Sequence, residues 1–303
     1  MELLLRRQIE RRNRLALVIV LTILAVAGAA ALVQAFLPSF RSAPVAAVVE
    51  EETAFAQLRK DDLTSRTNAI VHLRALTASQ PRYVEAQAAL TLALLLDLDD
   101  RRAVLHRYMR EEEALATQKA RLESERPGTD WRVLANRLVD RIAALRAKMV
   151  PLNDDAKGLQ ARANAAYATL MKMEAVQPAE ALARTRTDAL YAAIDGQDQA
   201  IVLAERYRQM GGQDGWAEVA NAEYALNTKG IPPETVAQDL DQMRALQKRD
   251  TTFLRAYVLG GRLALQLKQK DLAASQLDAA VALNPDHVLA QTLAEDARVP
   301  EQR

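Results

Sequence analysis

Residues 15–37 read LALVIVLTILAVAGAAALVQAFL, an uncharged run of 23 in which thirteen are Leu, Ile, Val or Phe. No water-facing element tolerates such a run. As a helix rising about 1.5 Å per residue it covers roughly 34 Å, enough to cross a hydrocarbon core of about 30 Å. The sequence therefore predicts a transmembrane helix over 15–37, and everything after it must fold beside a membrane. Arg6, Arg7, Arg11, Arg12 and Arg14 precede the run; after it come one early base, Arg41, and then Glu50, Glu51 and Glu52. The excess of positive charge before the span places a tail of residues 1–14 in the cytoplasm. The bulk of the chain is then on the far side, which in a bacterium is the periplasmic face of the inner membrane. A cleaved signal peptide is the competing reading, with a small-x-small site at Val33-Gln34-Ala35. The run, however, exceeds the usual apolar core of about 7–15 residues, and an uncleaved anchor is the expectation. Both readings export the rest. Arg6-Arg7 is followed by Gln8-Ile9-Glu10, a poor match to a twin-arginine signal.

Beyond a linker at 38–49, the chain reads as helix after helix. Aromatics are only 4% of residues although apolar residues reach 50%, and alanine makes up the difference. Alanine has the best helix propensity and lets helices approach closely. No stretch alternates in the manner of a strand. The expected fold class is all-α: an N-terminal transmembrane helix, then a helical solenoid with an inserted long helical hairpin.

Residues 50–98 read as degenerate helical repeats, with helices near 50–60, 65–78 and 82–97; Ala69, Leu73 and Leu76 lie on one face, and Pro81 marks an end. Residues 99–175 read as a charged hairpin region, with helices near 100–125 and 130–150 about a turn at Pro127-Gly128. Leu134, Leu138, Ile142, Leu145, Met149 and Leu152 recur at threes and fours, a seam for packing two long helices. Pro151 is expected to interrupt it, with a further helix reaching about 174. Residues 176–298 read as helix pairs, with turns at Asp195-Gly196, Gly211-Gly212, Pro232-Pro233 and Asn284-Pro285. Asp271 is expected to cap a helix ending near Leu283.

The most specific pattern is residues 254–287, LRAYVLGGRLALQLKQKDLAASQLDAAVALNPDH, 34 residues long. It resembles a tetratricopeptide repeat. Tyr257 fills the early aromatic position, Gly261 the tight glycine, Ala273, Leu277 and Ala280 the small–large–small positions of the second helix, and Pro285 the closing proline. Gly260 departs from the pattern, standing where a Leu is usual, and so does Ala264, where a Tyr is commoner. Residues 181–210 and 216–248 match less well, and the resemblance does not extend over 100–175. It implies a stack of helix pairs, since one pair cannot bury its apolar face alone. It also implies a groove lined by first helices, projecting Arg255, Val258, Arg262, Leu265 and Gln266 toward a peptide or partner helix. Two arginines there suit a carboxylate, because guanidinium forms bidentate pairs. Trp216 and Tyr224 suit buried packing.

No chemistry stands out. His72, His106 and His287 have no partner at a metal-ligand spacing and read as surface or turn residues. The acidic groups Asp97-Leu98-Asp99-Asp100, Glu111-Glu112-Glu113 and Asp154-Asp155 lack the oxygen spacing of a calcium loop and read as solvated faces. Gly211 to Gly215 lacks the following Lys-Ser/Thr of a phosphate loop. No cofactor and no catalytic site is expected. There is no cysteine, and 40 basic residues against 39 acidic ones give no pull toward nucleic acid. The expected role is a membrane-anchored scaffold or adaptor that binds other proteins during assembly, secretion or quality control at the cell envelope. The alternative is a structural, self-associating component of an envelope machine, a homo-oligomer joined through the hairpin.

Overall fold

A computed structural model describes residues 43–298. The chain divides into Met1–Ala43 and Pro44–Arg303, and the described helices belong to the second unit. The apolar run at 15–37 and its flanking arginines lie outside the described residues, among which no helix is long and apolar enough to cross a membrane.

The described residues are all-helical: α1 Val45–Leu58, α2 Leu63–Ser79, α3 Val84–Glu125, α4 Trp131–Lys172, α5 Pro178–Ile194, α6 Gln199–Gln209, α7 Trp216–Asn227, α8 Pro233–Arg249, α9 Leu254–Gln266, α10 Lys270–Leu283 and α11 Val288–Arg298. The ends follow local chemistry. Asp62 caps α2 by accepting from the Ser65 amide at 2.8 Å. Gln177 and Glu180 form a reciprocal cap around Pro178 at the start of α5. Pro233 opens α8, where its missing N–H costs nothing.

Two long helices organise the unit, and both depart from the sequence reading. α3 runs without a break through the expected boundary at 98/99. Asp97, Asp99 and Asp100 read as a solvated face in sequence. They stay helical because their carboxylates meet arginines from other helices. α4 likewise passes through Pro151, whose ring sits on the exposed side. Along α4 the seam is Trp131, Ala135, Leu138, Ile142, Leu145, Met149, Leu152, Ala156, Leu159, Ala163, Ala166 and Leu170, all buried or half-buried. The spacing alternates strictly between four and three, the period of a coiled coil. Leu134, expected in that seam, is exposed, and Ala135 takes its place.

The proximal and distal halves of this pair differ. Residues 84–99 of α3 are almost wholly buried. They share one core with α1, α2, the second half of α4 and the helices that follow. The distal half pairs only with itself: Leu115, Leu138, Ile142 and Leu145, flanked by Tyr108 and Leu122, form a cluster with no residue from another helix. Arg146 donates to Glu112 at 2.6 Å across it. From Tyr108 to Glu125 this arm is about 27 Å long at 1.5 Å per residue. Arg126 and Gly128, both at positive φ, turn the chain at its tip.

The helix pair at 254–287 is built as the spacing predicts. A Cβ added to Gly261 would lie 2.5 Å from Leu277 Cγ, so only glycine lets α9 and α10 approach this closely. Ala273, Leu277 and Ala280 are fully buried. At Gly260 the amides of Gln247 and Gln276 close over the vacant position, and Gln247 donates to the Ala256 carbonyl at 3.0 Å. α10 starts at Lys270 after Gln269, so Asp271 is a first-turn acid and not the cap. Trp216 is buried, set edge-on to Phe253 at 5.4 Å and Phe55 at 6.3 Å, and joins α1 and α7 to the turn before α9.

Candidate functional site

The face of α9 expected to receive a partner is turned inward. Arg255 and Val258 are buried, Arg262 and Leu265 half-buried, and only Gln266 is exposed. The side of the helix pair that would hold a ligand is covered by α3. Ala103 and Val104 of α3 share a cluster with Leu254, Val258, Leu277 and Leu293, and Arg107 binds Asp296 of α11 through both carboxylate oxygens.

Beneath this contact lies a cluster of charged and polar groups drawn from six places: Asp61 in the α1–α2 turn, Arg66 on α2, Asp97, Asp99 and Asp100 on α3, Glu223 on α7, Arg255 and Arg262 on α9, and His287 before α11. Arg255 is the hub. It donates to Glu223 at 2.6 Å, to Asp100 at 2.6 Å, to Asp61 at 3.4 Å and to Asp99. Arg262 forks onto Asp99. Arg66 donates to Asp61 at 2.8 Å, to Asp100 at 2.9 Å and to the Leu96 carbonyl at 3.4 Å. Asp61 sits at φ 51°, a left-handed conformation that Asp tolerates better than most residues, and this aims its carboxylate inward.

Electrostatics follow from the count. Five carboxylates (Asp61, Asp97, Asp99, Asp100, Glu223) face three guanidiniums (Arg66, Arg255, Arg262). The surplus negative charge favours a proton retained on one of the acids. Burial, with the Asp99 carboxylate beside it, pushes the Glu223 carboxyl up to about 7 against the pull of Arg255 and Arg262. Burial also raises Asp97. Asp61, Asp99 and Asp100 are buried too, but their arginines outweigh the desolvation and hold them below the ordinary carboxylate range.

Asp61, Asp100 and His287 bring three potential ligand atoms within 4.8 Å of one another. His287, read from sequence as a turn residue, is buried here. Its Nδ1 accepts from the Ala290 amide at 3.2 Å, and its Nε2 points at Asp61, 3.6 Å away with no hydrogen bond. The donor set does not fit a metal centre. All four oxygens of Asp61 and Asp100 accept from Arg66 or Arg255 at 2.6–3.4 Å, so two guanidiniums already supply the positive charge between them. We assign the cluster to tying six segments together. Asp61, Arg66, Asp99, Glu223, Arg255 and His287 are buried, and Asp97, Asp100 and Arg262 half-buried, with their charged atoms spent on one another.

The sequence reading missed this cluster. It took Asp99 and Asp100 for a solvated face, and it left Asp61, Arg66 and Glu223 without a role. One signal was present: an apolar run, Ala88 to Leu96, leading directly into Asp97-Leu98-Asp99-Asp100 with no helix breaker between. A helix buried on all sides carries its acids inside with it.

No family model matches the chain, and no curated protein or solved structure matches it either.

Proposed function

We propose that this protein is a membrane-anchored helical-repeat scaffold that binds other proteins at the cell envelope. In this reading residues 15–37 are the anchor, the repeats resemble the tetratricopeptide type, and the helical unit lies on the periplasmic side of a bacterial inner membrane. The role is binding, without a catalysed reaction.

The observation that carries the reading is the arm. The body's core needs nothing beyond about residue 107 of α3 or before about residue 150 of α4, yet the chain builds a two-helix extension with its own seam. Such an extension has the form of a reach toward a partner. A second reading, self-association through the arm, draws on Val133, Val139 and Val150, which stand exposed on α4.

Photocrosslinking tests both. A crosslinking residue is placed at Val139 or Val150 on the arm, and for comparison at Ile201 on the body, in the full-length chain in its own membrane. Discrete adducts with other envelope proteins from the arm positions alone support the scaffold. Adducts of twice the chain mass support self-association. Equal, diffuse labelling from all three positions rejects both.

A further inference from the structure

A cleft of about 630 Å³ opens where the base of the arm meets the C-terminal ends of α5 and α7. That volume falls within the range of roughly 300–1,000 Å³ typical of ligand sites. One wall is α3, with Arg102, Leu105 and His106; the other is α4, with Asn153, Lys157, Gln160 and Asn164; Ile194, Asp195 and Asn227 close the end.

The cleft walls carry two cations, Arg102 and Lys157, and one acid, Asp195, closes the end. Arg102, His106 and Arg110 stand at i, i+4 and i+8 on α3 and so share one helix face. Among the described residues, no carboxylate lies within ion-pair distance of any of the three. Arg102 donates to two neutral acceptors, the Ile194 carbonyl at 2.9 Å and the Gln160 side chain. Lys157 on the facing wall has only an exposed, 3.7 Å approach to Asp154. Asp195 is the sole acid of the lining, and its carboxylate already accepts from Gln197 at 2.8 Å. Partial desolvation, with the charges of Arg110 and Arg262, holds the His106 imidazole below its ordinary value. Arg110 is lowered as well, by desolvation and by Arg262 and Arg107, although Asp296 offsets part of this. Arg110 lies one turn beyond His106 and outside the lining, so Arg102 and Lys157 are the cations that an anion in the cleft would meet.

The remaining polar groups specify what kind of anion. Asn153 has both halves of its amide unspent, and Asn227 donates to the Glu223 carbonyl at 2.9 Å, leaving its own oxygen free. Side-chain amides offer a donor and an acceptor, which matches a peptide backbone and is wasted on a simple anion. A nucleic acid strand would need the basic stripe to continue, and the chain's net charge is only +1.

We propose that this cleft docks an acidic polypeptide segment of a partner protein, its carboxylates paired with Arg102 and Lys157 and its backbone met by Asn153 and Asn227. The inference rests on the scaffold reading and names its partner's chemistry. The arm positions used for crosslinking lie outside the cleft, so either idea can fail alone.

The test uses the full-length chain in nanodiscs of neutral lipid. Fluorescein-labelled octapeptides rich in Asp and Glu, their Asn/Gln counterparts and their Lys counterparts are titrated by anisotropy at low and moderate salt. The acidic peptide should bind, weakening with salt, and the other two should not. R102Q and K157E remove the two cations of the walls and should each weaken binding about tenfold. K248E, an exposed charge reversal on α8, should leave it unchanged; circular dichroism melts verify that all three fold. N153A should weaken binding of the acidic peptide while leaving its salt dependence intact, separating backbone recognition from charge. Equal binding of the neutral peptide, indifference to R102Q and K157E, no binding of any acidic peptide, or tighter binding of inorganic phosphate or an oligonucleotide would each overturn the proposal.

Discussion

Arg255 and Asp99 stand 156 positions apart and form an ion pair buried at both ends. The pair joins α9 of the last complete helix pair to the middle of α3. Removing the guanidinium would strand Asp61, Asp99, Asp100 and Glu223 without their shared partner. Breaking a buried pair from one side costs about 3–5 kcal/mol, because the abandoned charges stay buried. R255A is therefore expected to lower the urea midpoint by a corresponding amount, and R255K nearly as much. One ammonium cannot span the four carboxylates that the fork reaches. Wild-type behaviour of R255K in the urea melt would refute this account of the hub.

Acid and base act on opposite sides of the same cluster. Glu223 has a folded pKa of about 7, above its ordinary value of 4.5. The folded state thus holds more protons than the unfolded state between those values, and stability falls as pH rises through that window. Asp239, raised to about 6 by burial, adds to the same slope. Asp61, Asp99 and Asp100 have lowered values, so their contribution is present above about pH 4 and is lost on acidification. Thermal midpoints should peak near pH 5 and decline toward pH 7. E223Q keeps an acceptor for Arg255 but carries no charge, and should flatten the decline.

Gly261 and Leu277 define how closely α9 and α10 can pack. A methyl group at 261 would meet Leu277 at 2.5 Å, well inside contact distance. G261A should cost about 1–3 kcal/mol, the usual range for overpacking a filled core. L277A removes the obstacle while opening a cavity of its own. The double variant should therefore be less destabilised than the sum of the singles, a coupling readable from a thermodynamic cycle.

Much of this architecture can be read directly from residue spacing. Ala69, Leu73 and Leu76 sit where their periodicity puts them, the turns fall at Gly211-Gly212 and Asn284-Pro285, and the seam of α4 follows its threes and fours from Leu138 onward. The failures have a common cause. Charge and proline were read as local signals, but tertiary partners decide their effect. Asp99 looks like a surface residue until Arg255 and Arg262 arrive from another helix. Pro151 looks like a stop until the continuous seam on its opposite face holds the helix together. Leu134 and Ala135 lie side by side, and the smaller one is buried because the heptad phase set by Leu138 and Ile142 selects position 135. The same limit hid the cleft, since Arg102 and Lys157 meet only after the hairpin folds.

The arm and the body should lose structure separately, because the cluster around Leu115, Leu138, Ile142 and Leu145 shares no residue with the main core. I142D places an unpartnered carboxylate in that seam, where its desolvation opposes helix pairing. Amide hydrogen exchange should then accelerate over about residues 110–148. The buried stretch of α3 at 88–98 and the α9–α10 pair should keep their protection, since local stability is set by local buried contacts. P151A probes the same junction from the other direction. It restores a backbone donor and removes a ring clash that costs about 3 kcal/mol in a helix interior, so it should slow exchange in the turns on either side of residue 151. If I142D instead unfolds α9 and α10 together with the arm, the two halves of α3 form one cooperative unit, and the arm would be an extension of the core.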